Sequence, residues 1–170
     1  MTPSADGQQQ AAPAIDIVVQ SPLWRAQAEA EAAVRDAIAA AAAMLAAKNV
    51  ELAIVLADDR TVRALNRDWR GIDAATNVLS FPVQQSRATG TPALLGDIVI
   101  AYETAARETA AQNKPFLHHL KHLCVHGFLH LMGYDHETDR DAEAMERLER
   151  AVLARLNVPD PYLARDAGNK

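Results

Sequence analysis

The histidines are the most constraining feature of this 170-residue chain, because all six fall between positions 118 and 136. The densest part, 126–136, reads HGFLHLMGYDH. His126 and His130 are four residues apart, so on a helix their side chains point the same way, one turn apart. Gly133 stands where a glycine commonly ends a helix. The following residues can then turn back over the helix end, which predicts that His136 joins the first two rings.

Three neutral imidazoles with an open fourth position are typical of a catalytic zinc ion. A structural zinc ion is more often enclosed by four ligands, commonly cysteines. The single cysteine, Cys124, cannot supply them and is predicted to be a small buried hydrophobic residue. The sequence therefore predicts one Zn²⁺ per chain, bound by His126, His130 and His136.

The same histidine spacing occurs in the metzincin peptidases, which carry a glutamate directly after the first histidine. This chain has Gly127 at that position. The carboxylate that activates water in those enzymes is therefore missing, which disfavours a peptidase. The spacing still leaves a metzincin-like metallopeptidase or another metal hydrolase as the alternative.

Length and composition favour one soluble domain in the cytoplasm. Hydrophobic residues make up 49% of the chain, enough for one substantial core. The formal charge of -5 means that any contact with nucleic acid must come from a local basic patch. The sequence shows no signal peptide and no apolar run long enough to cross a membrane, so no membrane contact is expected. One cysteine is consistent with a reducing compartment.

Hydrophobic patterns predict a single α+β domain over 15–158, preceded by a disordered extension at 1–14 and followed by a polar tail at 159–170. The predicted sheet is mixed and has about four strands, at 15–20, 51–57, 76–83 and 95–100. About five helices pack with it, at 24–48, 59–70, 102–112, 115–132 and from the Thr138 cap to about 157, with the histidine-bearing helix central. Pro82 places the third strand at an edge of the sheet or marks the strand's end.

Four arginines recur at spacings of three and four on the second predicted helix: Arg60, Arg63, Arg67 and Arg70. At about 100° per residue they share a face roughly 80° wide. On its own, such a row is more often a solvated helix face than a phosphate-binding surface.

The motifs HGFLHLMGYDH, TNVLSFP and LGDIVI, with Arg70 just upstream of the second, resemble those of the YbeY family of bacterial rRNA-maturation endoribonucleases. The resemblance covers about 16–156, nearly the whole chain. It implies a zinc ion on His126, His130 and His136. It also implies a functionally essential arginine, for which Arg70 of the WRG sequence is the matching position.

The resemblance further implies cleavage of single-stranded RNA during rRNA maturation, notably at the 3′ end of the small-subunit rRNA, and a part in ribosome quality control. The implied partners are rRNA, the small ribosomal subunit and ribosome-associated proteins. In this role Arg70 and His126 are the predicted catalytic residues, and Asp135 is a candidate to orient a histidine or carry a proton. Arg60, Arg63 and Arg67 become candidate contacts to the RNA backbone. A non-catalytic ribosome assembly factor with a structural metal remains a third reading.

Overall fold

Five helices pack against a four-stranded mixed sheet in the computed structural model, which describes residues 12–83 and 93–163. The strands are β1 (Ala14–Val19), β2 (Val50–Ala57), β3 (Val78–Pro82) and β4 (Ala93–Ala101). The helices are α1 (Ala30–Met44), α2 (Asp59–Arg70), α3 (Tyr102–Gln112), α4 (Phe116–Leu131) and α5 (Asp139–Arg155). The predicted α+β class, with its four strands and five helices, is confirmed.

The two predicted terminal segments lie largely outside the described residues. Of the extension at 1–14 only 12–14 are described, and of the tail at 159–170 only 159–163. Their predicted character therefore stays a prediction. Among the described helices, none is both long and apolar enough to cross a membrane.

The strand order is β1-β2-β4-β3, with β1, β2 and β4 parallel and β3 antiparallel to β4. The continuous apolar run of β2 lies between two strands, the position that suits a strand without alternation. Strand β3 is at the edge of the sheet, and Pro82 is its last residue. This confirms the position expected for a proline, which has no N–H to donate to a neighbouring strand.

Alternation along β4 divides the core between the two faces of the sheet. Ile98 and Ile100 are fully buried in the larger cluster, with residues from α1, α4 and α5. Val99 and Ala101 lie on the opposite face, in a smaller cluster with Val62 of α2. Helices α2 and α4 therefore lie on opposite faces of the sheet.

The predicted helix at 24–48 is wrong at its beginning, because α1 begins only at Ala30. Residues Pro22–Ala26 form a short 3₁₀ helix instead, capped by the Ser21 hydroxyl, which accepts from the Leu23 N–H at 3.3 Å. The buried Trp24 explains the difference, since its Nε1 donates to the Ala57 carbonyl at 2.8 Å. That long-range contact holds the chain in a turn, although the local composition favours a helix.

A glycine at position 96 is required by the close approach of β3. The φ angle of Gly96 is +135°, and a Cβ there would lie 2.1 Å from the carbonyl oxygen of Phe81. The pairing between β2 and β4 also shifts register beside this residue. The glycine in LGDIVI is therefore explained by backbone packing, which also fixes β3 against β4 next to the candidate site.

Candidate metal centre

The end of α4 brings the third histidine to the first two. Gly133 has φ of +98°, and its N–H donates to the carbonyl of His130 at 3.0 Å, while the N–H of Tyr134 donates to the Leu129 carbonyl at 3.0 Å. These bonds satisfy the last helical carbonyls and turn the chain back over the helix end. The ring of His136 then lies 5.1 Å from that of His130, centroid to centroid.

Hydrogen bonds on the far side of two rings fix which nitrogen faces the site. The Nδ1 of His130 donates to the carbonyl of Tyr134 at 2.9 Å. The Nδ1 of His126 lies 2.5 Å from a carboxylate oxygen of Glu149. Because a carbonyl and a carboxylate can only accept, both Nδ1 atoms carry a proton, and in the neutral rings both Nε2 atoms therefore have a free lone pair.

The free ring nitrogens converge on one point. The two Nε2 atoms of His126 and His130 lie 3.0 Å apart, and each of the three histidines offers a ring nitrogen within 4.8 Å of the others. Two lone pairs at this distance repel each other unless a cation or a proton lies between them. The donor set fits a metal ion, since neutral imidazole nitrogens bound on the outer side by a carboxylate or a carbonyl are typical metal ligands. The predicted triad is thus brought together.

The electrostatic surroundings of His130 also favour a neutral ring. Burial lowers the pKa of His130 from its ordinary value, and the neighbouring rings of His126 and His136 lower it further. The hydrogen bond to the Tyr134 backbone has the opposite, smaller effect. A neutral imidazole at neutral pH can coordinate a metal without first releasing a proton. Cys124 is fully buried, and burial raises its pKa to about 12, so the thiol is no ligand and its predicted packing role holds.

Arg70 reaches the same cavity from the opposite face of the sheet. Its Nη2 donates to the backbone carbonyl of Ser80 on the edge strand β3 at 3.1 Å, and its guanidinium lies 5.9 Å from the centroid of the Phe81 ring. The cavity of about 490 Å³ is lined by Arg70, by β3 and by the three histidines. A permanent cation and three ring nitrogens that could bind a metal ion therefore face one space, which is suited to a substrate with negatively charged oxygens.

The other predicted site residues are placed as follows. Asp135 lines the cavity and is exposed, and its carboxylate accepts from the backbone N–H of Glu137 at 3.3 Å. Arg60, Arg63 and Arg67 are exposed on α2 and do not line the cavity. Among them Arg63 pairs with Asp73 at 2.8 Å, and Arg67 pairs with Asp68 at 3.1 Å.

Glu149 of α5 was missed in the sequence analysis, although it contacts a proposed ligand directly. A signal was present, because Glu149 falls on the same face as the apolar residues Met145, Val152 and Leu153. A charged residue within a buried stripe is rarely left there without a partner. Helical periodicity could have indicated its burial, but only the packing of α5 against α4 shows that its partners are His126 and His122.

The fold and this cavity define an α+β protein in which three histidines that could hold a metal ion lie beside an arginine. Comparison with known families gives the assignment: the family model described as "Endoribonuclease YbeY" matches residues 19–157. The chain belongs to the YbeY family, a family of endoribonucleases, and the resemblance seen in its motifs is confirmed.

Curated relatives carrying the same description support the assignment over most of the chain. A Rhodopseudomonas palustris protein is 56% identical over 163 residues, which are 93% of this chain and 95% of that protein. A Bradyrhizobium relative is 50% identical over 91% of this chain and 95% of its own length. A solution structure of a Thermotoga maritima protein is 24% identical, with a TM-score of 0.46, and covers 84% of this chain and 91% of that one. The family assignment rests on the sequence relatives.

Proposed function

We propose that this chain is a zinc-dependent endoribonuclease that cuts single-stranded RNA during rRNA maturation in the cytoplasm, notably at the 3′ end of the small-subunit rRNA. Ribosome quality control is part of the same proposal, with rRNA, the small ribosomal subunit and ribosome-associated proteins as partners. Family membership supports RNA cleavage. The metal and the RNA class rest on the donor set and on the motif resemblance.

One observation carries the proposal: Arg70 and the three histidines line a single cavity. A guanidinium presents a planar fork of donors that matches a phosphate group in two-point contact. Only one Nη2 bond of Arg70 is directed to Ser80, so the guanidinium has further N–H groups to offer. This combination suits a phosphodiester better than a peptide.

In this proposal Arg70 positions the scissile phosphate and stabilises the charge that builds up on its oxygens during displacement. The Nε2 atoms of His126 and His130, with one ring nitrogen of His136, hold the zinc ion. When bound, zinc supplies Lewis-acid polarisation of a phosphoryl oxygen and lowers the pKa of water to about 7. Asp135 lines the cavity and is the candidate proton carrier. The bond of Arg70 to Ser80 fixes the guanidinium against β3.

Gly127 bears on the peptidase alternative. A Cβ at this position would lie 3.0 to 3.2 Å from three side-chain atoms of Ile98 in the sheet. The side chain of a glutamate at this position would point from its Cβ into the buried core. The glycine therefore reflects close packing of α4 on β4, and the position offers no room for the general base of a metzincin.

The decisive experiment is cleavage of a defined RNA bearing the unprocessed small-subunit 3′ end. Zinc-loaded wild-type protein is expected to cut it, whereas metal-stripped protein, His126→Ala and Arg70→Ala are expected to lose at least 100-fold in rate, about what one charge-stabilising group contributes. Arg147→Ala, which changes an exposed arginine on α5 outside the cavity lining, is the matched control and should cut at the wild-type rate, whereas a contaminating nuclease would leave the same activity in every variant.

Each alternative predicts a different result. Peptide cleavage without RNA cleavage supports a metallopeptidase and contradicts the proposal. Unfolding of the histidine variants, together with normal rRNA processing by a folded Arg70→Ala protein, supports an assembly factor with a structural metal. Retained RNA cleavage in both folded variants also contradicts the proposed site.

The exposed arginines of α2 are proposed to contact the RNA backbone. The side chains of Arg63 and Asp73 are 58% and 55% exposed, so their ion pair is weak and can be exchanged for a phosphate contact. Arg63→Gln and Arg67→Gln are each expected to lower single-strand affinity. Each should reduce the slope of log affinity against log salt by about 0.7. Unchanged slopes, equal to that of Arg147→Gln, would refute the assignment.

A further inference from the structure

Glu149 is a charged residue with no exposed surface, in the middle of the apolar face of α5. Burying an ionised carboxylate is costly unless hydrogen-bond donors replace its hydration. The chain provides three such donors around this one side chain. An apolar residue of similar size would pack at this position without the desolvation cost of a carboxylate. The carboxylate is therefore explained by its hydrogen-bond partners.

The two oxygens of the Glu149 carboxylate face different hydrogen-bond partners. One oxygen lies 2.5 Å from Nδ1 of His126. The other lies 3.0 Å from Nε2 of His122 and accepts the hydroxyl of Tyr162. The carboxylate therefore lies behind the His126 ring, on the side away from the point where the ring nitrogens converge. It is placed neither to bind the metal nor to touch a substrate.

We propose that Glu149 is a positioning residue that fixes the tautomer and the orientation of His126, and that Tyr162 holds the Glu149 carboxylate in place. The inference rests on the proposed metal site. A carboxylate that accepts from Nδ1–H leaves the lone pair on Nε2, the atom 3.0 Å from Nε2 of His130. The same bond makes the imidazole a stronger donor to a metal ion.

Tyr162 comes from the segment after α5, which is fastened to that helix. The Asp160 carboxylate accepts from the N–H of Tyr162 at 2.8 Å and pairs with Arg150 at 3.1 Å. The guanidinium of Arg150 lies 5.3 Å from the centroid of the Tyr162 ring, and the His122 ring packs edge-on against the same ring at 5.7 Å. These contacts position the hydroxyl on the carboxylate. The described residues after α5 thus support the proposed metal site, and none of them supplies a ligand.

The first test is zinc affinity, measured on the full chain by competition with a chromophoric chelator. Glu149→Leu, which keeps the bulk and removes the acceptor, is expected to raise the zinc Kd about 10- to 100-fold. Glu149→Gln keeps an acceptor without the charge, and Tyr162→Phe removes one donor to the carboxylate, so both should fall between wild type and Glu149→Leu. Glu143→Gln, an exposed glutamate on the same helix, should leave the Kd unchanged.

The second readout is the tautomer of His126 in metal-free protein, from the chemical shifts of its ring nitrogens. Wild type should show protonated Nδ1, and Glu149→Leu should show a mixture of both tautomers. Unchanged affinity and an unchanged tautomer in folded Glu149→Leu would overturn the inference. If the wild type binds no zinc, the proposed function fails instead. The tautomer comparison then still decides whether Glu149 orients His126.

Discussion

The imidazoles of α4 differ in the partner of each ring nitrogen. His126 and His130 are partly buried, and each has an acceptor at Nδ1 behind the ring while its Nε2 faces the point where the ring nitrogens converge. His119 has Nε2 at 3.0 Å from Glu108, but its buried Nδ1 has no partner among the described residues. Three histidines on one helix therefore differ in the hydrogen bonds of their ring nitrogens, and the sequence alone does not show this difference.

His119 is predicted to make stability depend on pH. Burial lowers its pKa, with Lys114 and His122 adding to the effect against the opposing bond to Glu108. The folded-state pKa is therefore below the unfolded value of about 6.5. As the pH falls below about 6.5, the unfolded chain takes up the proton first, so the stability from neutral His119 is complete above that pH and is lost as the pH falls through the folded-state pKa.

The measurement is urea unfolding of metal-free wild type and His119→Gln between pH 7.5 and 5.5. The glutamine can still donate to Glu108 but does not titrate. Wild type should lose more unfolding free energy on acidification, by at most about 1.4 kcal/mol per pH unit. Since the other histidines titrate in both proteins, the difference isolates His119. Parallel stability curves would show that its protonation is not linked to folding.

At the scale of elements, the close contact between α4 and the sheet determines how near the histidines come to β3. The Gly127 carbonyl accepts from the Ser80 hydroxyl at 3.3 Å, and Arg70 donates to the carbonyl of the same serine. Ser80 thus links α4 with α2 across the edge strand. A larger residue at position 127 would separate α4 from β4, and with it the histidines from the arginine.

Gly127→Ala tests this contact. Alanine gains roughly 1 kcal/mol of helix propensity, but overpacking against the fully buried Ile98 costs about 1–3 kcal/mol. We expect a net loss on the order of 1 kcal/mol in unfolding free energy, measured by urea denaturation.

Ile98→Ala provides the matched partner, because it removes all three atoms that the new Cβ would approach. The double variant should be more stable than the sum of the two single changes predicts, which is the sign of a direct contact. Additive losses would mean that the two residues do not compete for the same space.

At the scale of the whole molecule, the metal is expected to contribute to the stability of the fold. The three histidines belong to α4 and to the turn after it, and His126 is linked through Glu149 to α5. A ligand that binds only the folded chain stabilises it by about 2.7 kcal/mol at a free concentration of 100 times its Kd. For a chain of this size, that corresponds to a rise in Tm of roughly 5–10 °C.

Thermal unfolding with and without zinc measures this effect. His130→Ala should show little or no rise, because the ring at the centre of the donor set is lost. Magnesium, which prefers oxygen ligands, should not substitute for zinc in the wild type. An equal rise for His130→Ala would place the bound zinc elsewhere on the chain.

The sequence alone determined the features that depend on neighbours along the chain. His126 and His130 share a helix face because of helical geometry, and Gly133 ends that helix and returns His136 within six residues. The caps of α2 and α5 are local in the same way, because Asp58 and Thr138 each accept from a backbone N–H three residues further along the chain. Periodicity likewise gave four strands, five helices and the α+β class.

Only the tertiary structure decided which distant elements meet. It brought Arg70 to histidines that lie 56 or more residues later in the chain, and it set Glu149 behind His126. The long-range bond of Trp24 to Ala57 also replaced the first turns of a predicted helix. Local patterns specify the exposed and buried faces of each element, whereas the pairing of those faces depends on packing across the whole chain.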